Sequence, residues 1–234
     1  MKILLISNST NPGETFLSHA LGEIEQTLSG VKKVLFIPYA AVSFSFDEYE
    51  ARMQNLMGSM GIEVESSHRY RNVKKAAQEA EAIMVGGGNT FRLAKMIQIH
   101  DIIEAVRYKI LSGTPYVGWS AGANVACPTI CTTNDMPIVE PDNFSAFNLI
   151  RFQINPHYTE KTIEGIGCES RDQRIDEFLI MDPYAYVVGL REGSMIRINN
   201  GDIELLGSHS AKIFKHGVAP YEVKPGEDID FLFE

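Results

Sequence analysis

Gly118-Trp119-Ser120-Ala121-Gly122 sets a serine hydroxyl at the end of the apolar run Tyr116-Val117-Gly118-Trp119, with small residues following it. This G-x-S-x-G spacing is the nucleophile-elbow pattern, in which a sharp strand-to-helix turn lifts the serine clear of the sheet and tolerates little bulk beside it. A serine held that way attacks a carbonyl when a base takes its proton and nearby N–H groups receive the oxyanion. The chemistry to look for is therefore acyl transfer by a serine hydrolase.

Of the six histidines, His19, His68, His100, His209 and His216 have no motif around them and read as surface or locally hydrogen-bonded residues. His157 is different. It follows Phe152-Gln153-Ile154-Asn155-Pro156, a strand-like run that breaks at a proline, so its ring can stand at a strand end as the general base. A carboxylate must then hold the other ring nitrogen. Asp135, in the polar turn Thr132-Thr133-Asn134-Asp135-Met136-Pro137, gives the order Ser…Asp…His of α/β-hydrolase-type sites and is the preferred candidate. Glu192, in Gly189-Leu190-Arg191-Glu192-Gly193, competes with it.

Gly86-Gly87-Gly88-Asn89-Thr90 follows an apolar run and precedes a helical one, but lacks the Lys-Ser/Thr of a P-loop and the spacing of a dinucleotide site. Its economical use is an oxyanion hole built from the Gly88 and Ala121 amides. Arg171, in Glu169-Ser170-Arg171-Asp172, is a candidate to grip a substrate carboxylate, or else a partner of its acidic neighbours.

The elements that must position these residues alternate. Strand-like runs at 2–7, 34–37, 62–65, 83–85 and 116–119 are separated by helical stretches at 15–28, 46–60, 73–80 and 90–111. Such alternation calls for a mostly parallel central sheet covered on both faces, a three-layer α/β sandwich. A long proline-punctuated segment follows the serine turn, and short strand-like runs from Tyr186 onward predict antiparallel hairpins at the C-terminal end.

The 234 residues, 44% hydrophobic and without a linker or repeat, predict one domain over 1–234. A net charge of -9 with no Lys/Arg cluster argues against nucleic acid. The opening apolar run Met1 to Ile6 is too short for a secretion signal, and no run approaches the roughly 18 apolar residues of a membrane helix. Three cysteines without a C-x-x-C pair suit a reducing compartment and give no metal signature, so a cytoplasmic enzyme without metal or cofactor is expected.

The glycine loop, the elbow extended to Gly118-Trp119-Ser120-Ala121-Gly122-Ala123-Asn124, the Thr132–Pro137 turn and Asn155-Pro156-His157 together closely resemble the peptidase E family, serine peptidases that also include cyanophycinase. The likeness runs from the first strand to the Gly207 region. It implies a cytoplasmic exopeptidase acting on dipeptides and some short peptides with an N-terminal aspartate, on a fold like that of class I glutamine amidotransferases. It puts the nucleophile on Ser120, the base on His157, the acid on Asp135 and the oxyanion donors on Gly88 and Ala121. It further puts aspartate recognition on Arg171, and leaves Glu192 open between orienting His157 and binding the substrate. No metal or cofactor is implied, and the chain is expected as a monomer or homodimer. The alternatives are a cyanophycinase-like or isoaspartyl peptidase, or a non-enzymatic binding protein of the same fold.

Overall fold

The computed structural model describes residues 1–161 and 169–233; Cys168, counted above, lies outside them. Strands β1 (Lys2–Ile6), β2 (Lys33–Ile37), β3 (Glu63–Ser66), β4 (Ile83–Val85) and β5 (Tyr116–Trp119) pair in parallel, β8 (Ser194–Asn199) adds antiparallel to β1, and β9 (Asp202–Gly207) adds antiparallel to β8. The seven-stranded order is β3-β2-β4-β5-β1-β8-β9. A second sheet of four strands, β11 (Val218–Val223), β10 (Ala211–Lys215), β7 (Tyr186–Arg191) and β6 (Gln153–Tyr158), stands beside it.

Buried side chains alternate along each central strand. Ile3 and Leu5 of β1 face one hydrophobic cluster and Leu4 and Ile6 the other; Leu35 and Ile37 of β2 alternate with Val34 and Phe36 in the same way. Both faces must therefore be covered, and helices cover them. Helices α1 (Leu21–Thr27) and α2 (Phe46–Gly58) pack on one side through Ile24, Tyr49, Met53 and Met57. On the other side lie α3 (Val73–Glu79), α4 (Thr90–Ile99), α5 (Ile103–Leu111) and the short α6 (Ala121–Asn124), with Ile154, Val188 and Ile213 of the second sheet in the same cluster.

Two expected helices are interrupted where non-glycine residues take left-handed backbone. Leu17 at φ 56 confines the first to a 3-10 turn, Ser18–Ala20, followed by α1, and Asp101 at φ 50 separates α4 from α5. The expected C-terminal hairpins are present as β8–β9 and β10–β11. Their distribution is new: β7 pairs in parallel with β6 in the small sheet, whereas β8, two residues later, belongs to the large one. The intervening Glu192-Gly193 is the corner between the sheets.

The elbow itself is a steric necessity. A Cβ on Gly118 would lie 2.4 Å from the Gly122 carbonyl oxygen, and one on Gly122 would lie 2.1 Å from the Val85 oxygen. Gly122→Ala is expected to lose about 3 kcal/mol or more of stability, because a backbone atom, not a flexible side chain, must give way. Gly58→Ala, at an exposed helix position with nothing near its new methyl, should be neutral or stabilising by about 0.5–1 kcal/mol. Thermal unfolding of the two variants checks the contrast.

Candidate active site

Ser120 follows β5 at φ 54 and ψ -114, a conformation that L-residues rarely occupy. Its own amide donates to the Ile6 carbonyl at 2.9 Å, and its carbonyl accepts from Ala123 and Asn124 at 3.0 Å each, so the strain is held by the sheet before it and the helix after it. The side chain stands at the carboxyl end of the parallel strands, where sites of open α/β sheets form.

His157 reaches it from the other sheet. The predicted break at Pro156 is instead a bulge: β6 continues to Tyr158, its register with β7 shifts between Pro156 and Tyr158, and His157 takes φ 53. Because β6 is an edge strand, Pro156 removes no essential ladder bond, and the bulge re-aims the histidine out of the sheet. Its Nε2 lies 2.9 Å from Ser120 Oγ and its Nδ1 lies 2.7 Å from Glu192 Oε1. With a carboxylate accepting at Nδ1, the proton of the neutral ring resides there, and Nε2 is free to accept from the serine.

Asp135, the preferred candidate for the third position, bonds to a different element. Its Oδ2 accepts from the Thr90 amide at 2.6 Å, at the first residue of α4, where unpaired N–H groups and the helix dipole favour a negative charge. The surrounding turn is fastened to the same helix start, with Asn89 Nδ2 donating to the Met136 carbonyl at 2.9 Å and Thr133 Oγ1 to Thr90 Oγ1 at 3.0 Å. Asp135 is engaged there, and the carboxylate that meets the His157 ring is that of Glu192.

Sequence reasoning also missed Ser7 and Asn8, whose only signal is their place at the carboxyl end of the first strand. The fully buried Ser7 hydroxyl donates to the Leu190 carbonyl at 2.8 Å and accepts from the His157 amide at 2.9 Å. Its amide donates to Ser194 at 3.1 Å, and Asn8 Oδ1 accepts from Gly193 at 2.7 Å. Two adjacent residues thus fix the His157 bulge and both flanks of Glu192.

Gly88 sits between β4 and α4 at φ 140, with the place of a Cβ filled by the Ala40 carbonyl at 2.2 Å. A Cβ on Gly87 would be 3.0 Å from that of Ser120, so the glycine loop lies directly against the serine. Ala121 opens α6, where an N–H has no partner within the helix. Both amides can serve a developing oxyanion.

Arg171 is the first residue of α7 (Arg171–Met181), placed by a capping box of Ser170 and Gln173. Its acidic neighbours are taken: Glu169 pairs with Arg174 at 3.7 Å, and Asp172 with Lys212 at 2.7 Å. Among the described residues Arg171 touches only neutral oxygens, Asn155 Oδ1 and the Pro156 carbonyl, each at 3.4 Å. Burial, with Arg174 adding to it, holds its guanidinium below its ordinary range. It lines both a cleft of about 790 Å³ that contains His157 and Glu192 and a recess of about 170 Å³ beside Asn134, Asp135 and Phe178. Cys127 is structural: its sulfur accepts from the Ile154 amide at 3.2 Å, and burial pushes its thiol up to about 12.

The arrangement can move a proton from a serine to a histidine held by a carboxylate, beside amides and a guanidinium that have no charged partner among the described residues. The model of peptidase family S51 matches residues 3–206. Peptidase E of Nostoc sp. is 45% identical over 234 residues, 100% of this chain and 97% of that protein. Peptidase E of Salmonella typhimurium is 43% identical over 226 residues, 97% and 99% of the two chains. The crystal structure of a peptidase from an acI-B1 actinobacterium superposes with TM-score 0.72 at 18% identity, covering 97% of this chain and 96% of that one, and so shares the fold. From its first strand to its last strand of the large sheet, the chain belongs to peptidase family S51 and is a serine-type peptidase of the peptidase E kind.

Proposed function

We propose that the chain is an aspartyl dipeptidase in which Ser120 is the nucleophile, His157 the general base, Glu192 its orienting carboxylate, Gly88 and Ala121 the oxyanion donors, and Arg171 the donor that binds the substrate's aspartate side chain. The observation that carries this reading is the continuous relay Ser120 Oγ, His157 Nε2, His157 Nδ1, Glu192 Oε1, at 2.9 and 2.7 Å.

The steps follow from that relay. His157 Nε2 takes the Ser120 proton as Oγ attacks the carbonyl of the N-terminal aspartyl residue. The oxyanion moves toward the Gly88 and Ala121 amides, and the positive imidazolium is balanced by Glu192. When the tetrahedral intermediate collapses, the C–N bond breaks and His157 gives its proton to the leaving amine. Water then attacks the acyl-enzyme by the same route, and Ser120 recovers its proton.

Specificity rests on Arg171, which forms no ion pair among the described residues. A half-buried guanidinium whose hydrogen-bond partners among the described residues are neutral oxygens gains a bidentate partner from an aspartate side chain and nothing from an alanine. A fold of the class I glutamine amidotransferase type, with serine at the elbow, is supported by the strand order and the position of Ser120, and a single domain by the core shared between both sheets. Among the described residues no helix is long and apolar enough to cross a membrane, and neither Cys127 nor Cys131 is in a disulfide, which favours the cytoplasm.

Wild type should hydrolyse Asp-Leu, with little action on Ala-Leu or β-Asp-Leu, and Ser120→Ala should lose about 10⁴-fold or more in kcat. Selective cleavage of β-Asp-Leu would place the enzyme in the isoaspartyl or cyanophycinase branch. Glu192→Gln is expected to lower kcat by about 10²-fold or more at an unchanged melting temperature, whereas Asp135→Ala, which removes the acceptor of the Thr90 N–H, should cost about 1 kcal/mol of stability. Arg171→Ala should reduce kcat/KM on Asp-Leu at least about 10-fold more than on Ala-Leu; equal losses would remove Arg171 from recognition. Ser7→Ala, which strands a buried N–H and a buried carbonyl, should cost about 1–3 kcal/mol by denaturant unfolding.

A further inference from the structure

Behind the elbow, away from the cleft, two buried hydrogen bonds join the serine turn to the glycine loop. Trp119 Nε1 donates to Tyr49 Oη at 3.0 Å, and Tyr49 Oη lies 3.2 Å from the Gly87 carbonyl oxygen. Indole N–H is only a donor, so the phenol oxygen accepts from it and the phenol proton goes to Gly87. Burial raises the Tyr49 phenol well above its ordinary range, which keeps that proton in place. The ring cannot drift: Tyr49 is 3% exposed and packed edge-on against Phe36 and Phe44 at 4.9 and 5.0 Å between centroids.

The Gly87 carbonyl and the Gly88 N–H belong to one planar trans peptide and point in opposite directions. Whatever orients the one orients the other. Two consecutive glycines give that plane little intrinsic preference, since neither side has a Cβ to resist rotation. A donor on the carbonyl from behind therefore aims the N–H forward.

We propose, on the reading of Gly88 as an oxyanion donor, that Tyr49 is a positioning residue: its hydroxyl latches the Gly87–Gly88 peptide so that the Gly88 N–H faces the oxyanion formed at Ser120. Trp119 completes the latch by fixing the phenol oxygen, which ties the donor to the residue next to the nucleophile. The benefit arises only when negative charge develops, so it belongs to turnover and not to substrate binding.

The test is Tyr49→Phe, which keeps the ring and removes the hydroxyl, with Trp119→Phe as a second variant that withdraws the indole donor. Steady-state kinetics on Asp-Leu are measured with the affinity for an aspartate-derived aminoboronic acid, whose tetrahedral adduct with a serine places an oxygen where the oxyanion forms. Tyr49→Phe is expected to lower kcat and boronate affinity in parallel by about 10²-fold, with KM within about twofold and an unchanged near-ultraviolet circular dichroism spectrum. Trp119→Phe should show a smaller loss of the same kind, and it carries the readout if Tyr49→Phe does not fold. Wild-type kcat and boronate affinity in a folded Tyr49→Phe, or a raised KM at unchanged kcat, would overturn the latch while leaving a dead Ser120→Ala variant to uphold the serine mechanism. An active Ser120→Ala would overturn both.

Discussion

Ser120 and His157 stand on different sheets, and their 2.9 Å contact exists only because the two sheets are fastened together at the end of β1. The fastener is the Ser7 hydroxyl, which accepts from the His157 amide and donates to the Leu190 carbonyl in the adjacent strand. One oxygen sets the height of the imidazole and the start of the corner that carries Glu192. Asn8 holds the far side of that corner through the Gly193 amide. Because these groups are buried, each lost bond would leave an unpaired polar atom, so the geometry is defended by desolvation as well as by attraction.

The same site concentrates unfavourable backbone. Ser120 and His157 both sit at positive φ, 54 and 53, and Gly88 takes a conformation open to glycine alone. Such conformations cost about 1–3 kcal/mol each and persist only where the surroundings determine them. Here they are determined by the tight approach of Gly122 to Val85, by the edge bulge at Pro156, and by the packing of Gly88 onto the Ala40 carbonyl. Rigid elements on both sides leave the reactive atoms little room to relax, which is the condition for electrostatic stabilisation without reorganisation.

Much of this was legible in the residues, for physical reasons. Apolar runs such as Lys2 to Ile6 and Ile83 to Val85 are bounded by turn chemistry, so the parallel sheet followed from alternation alone. Gly118 and Gly122 announce close backbone contact, and Pro156 announces a local break in regular pairing beside His157, which the fold makes as a bulge within the strand. The third residue of the relay was not legible in that way. Asp135 and Glu192 are both carboxylates in polar turns, and what separates them is that β7 and β8 belong to different sheets, a long-range pairing that no local pattern encodes. Ser7 and Tyr49 carry no motif either: one looks like the end of a strand and the other like a core aromatic. Their hydroxyls matter because of what the fold brings opposite them.

The central claim is that one serine, activated by a histidine that Glu192 holds, forms a covalent bond with substrate. The most direct measurement is intact-protein and peptide mass spectrometry after treatment with a fluorophosphonate, with labelling rates for wild type, His157→Ala and Glu192→Gln. A single adduct on the Ser120 peptide, formed much more slowly in both variants, is the expected result. Labelling of another residue, or a rate at Ser120 that neither substitution changes, would contradict the relay.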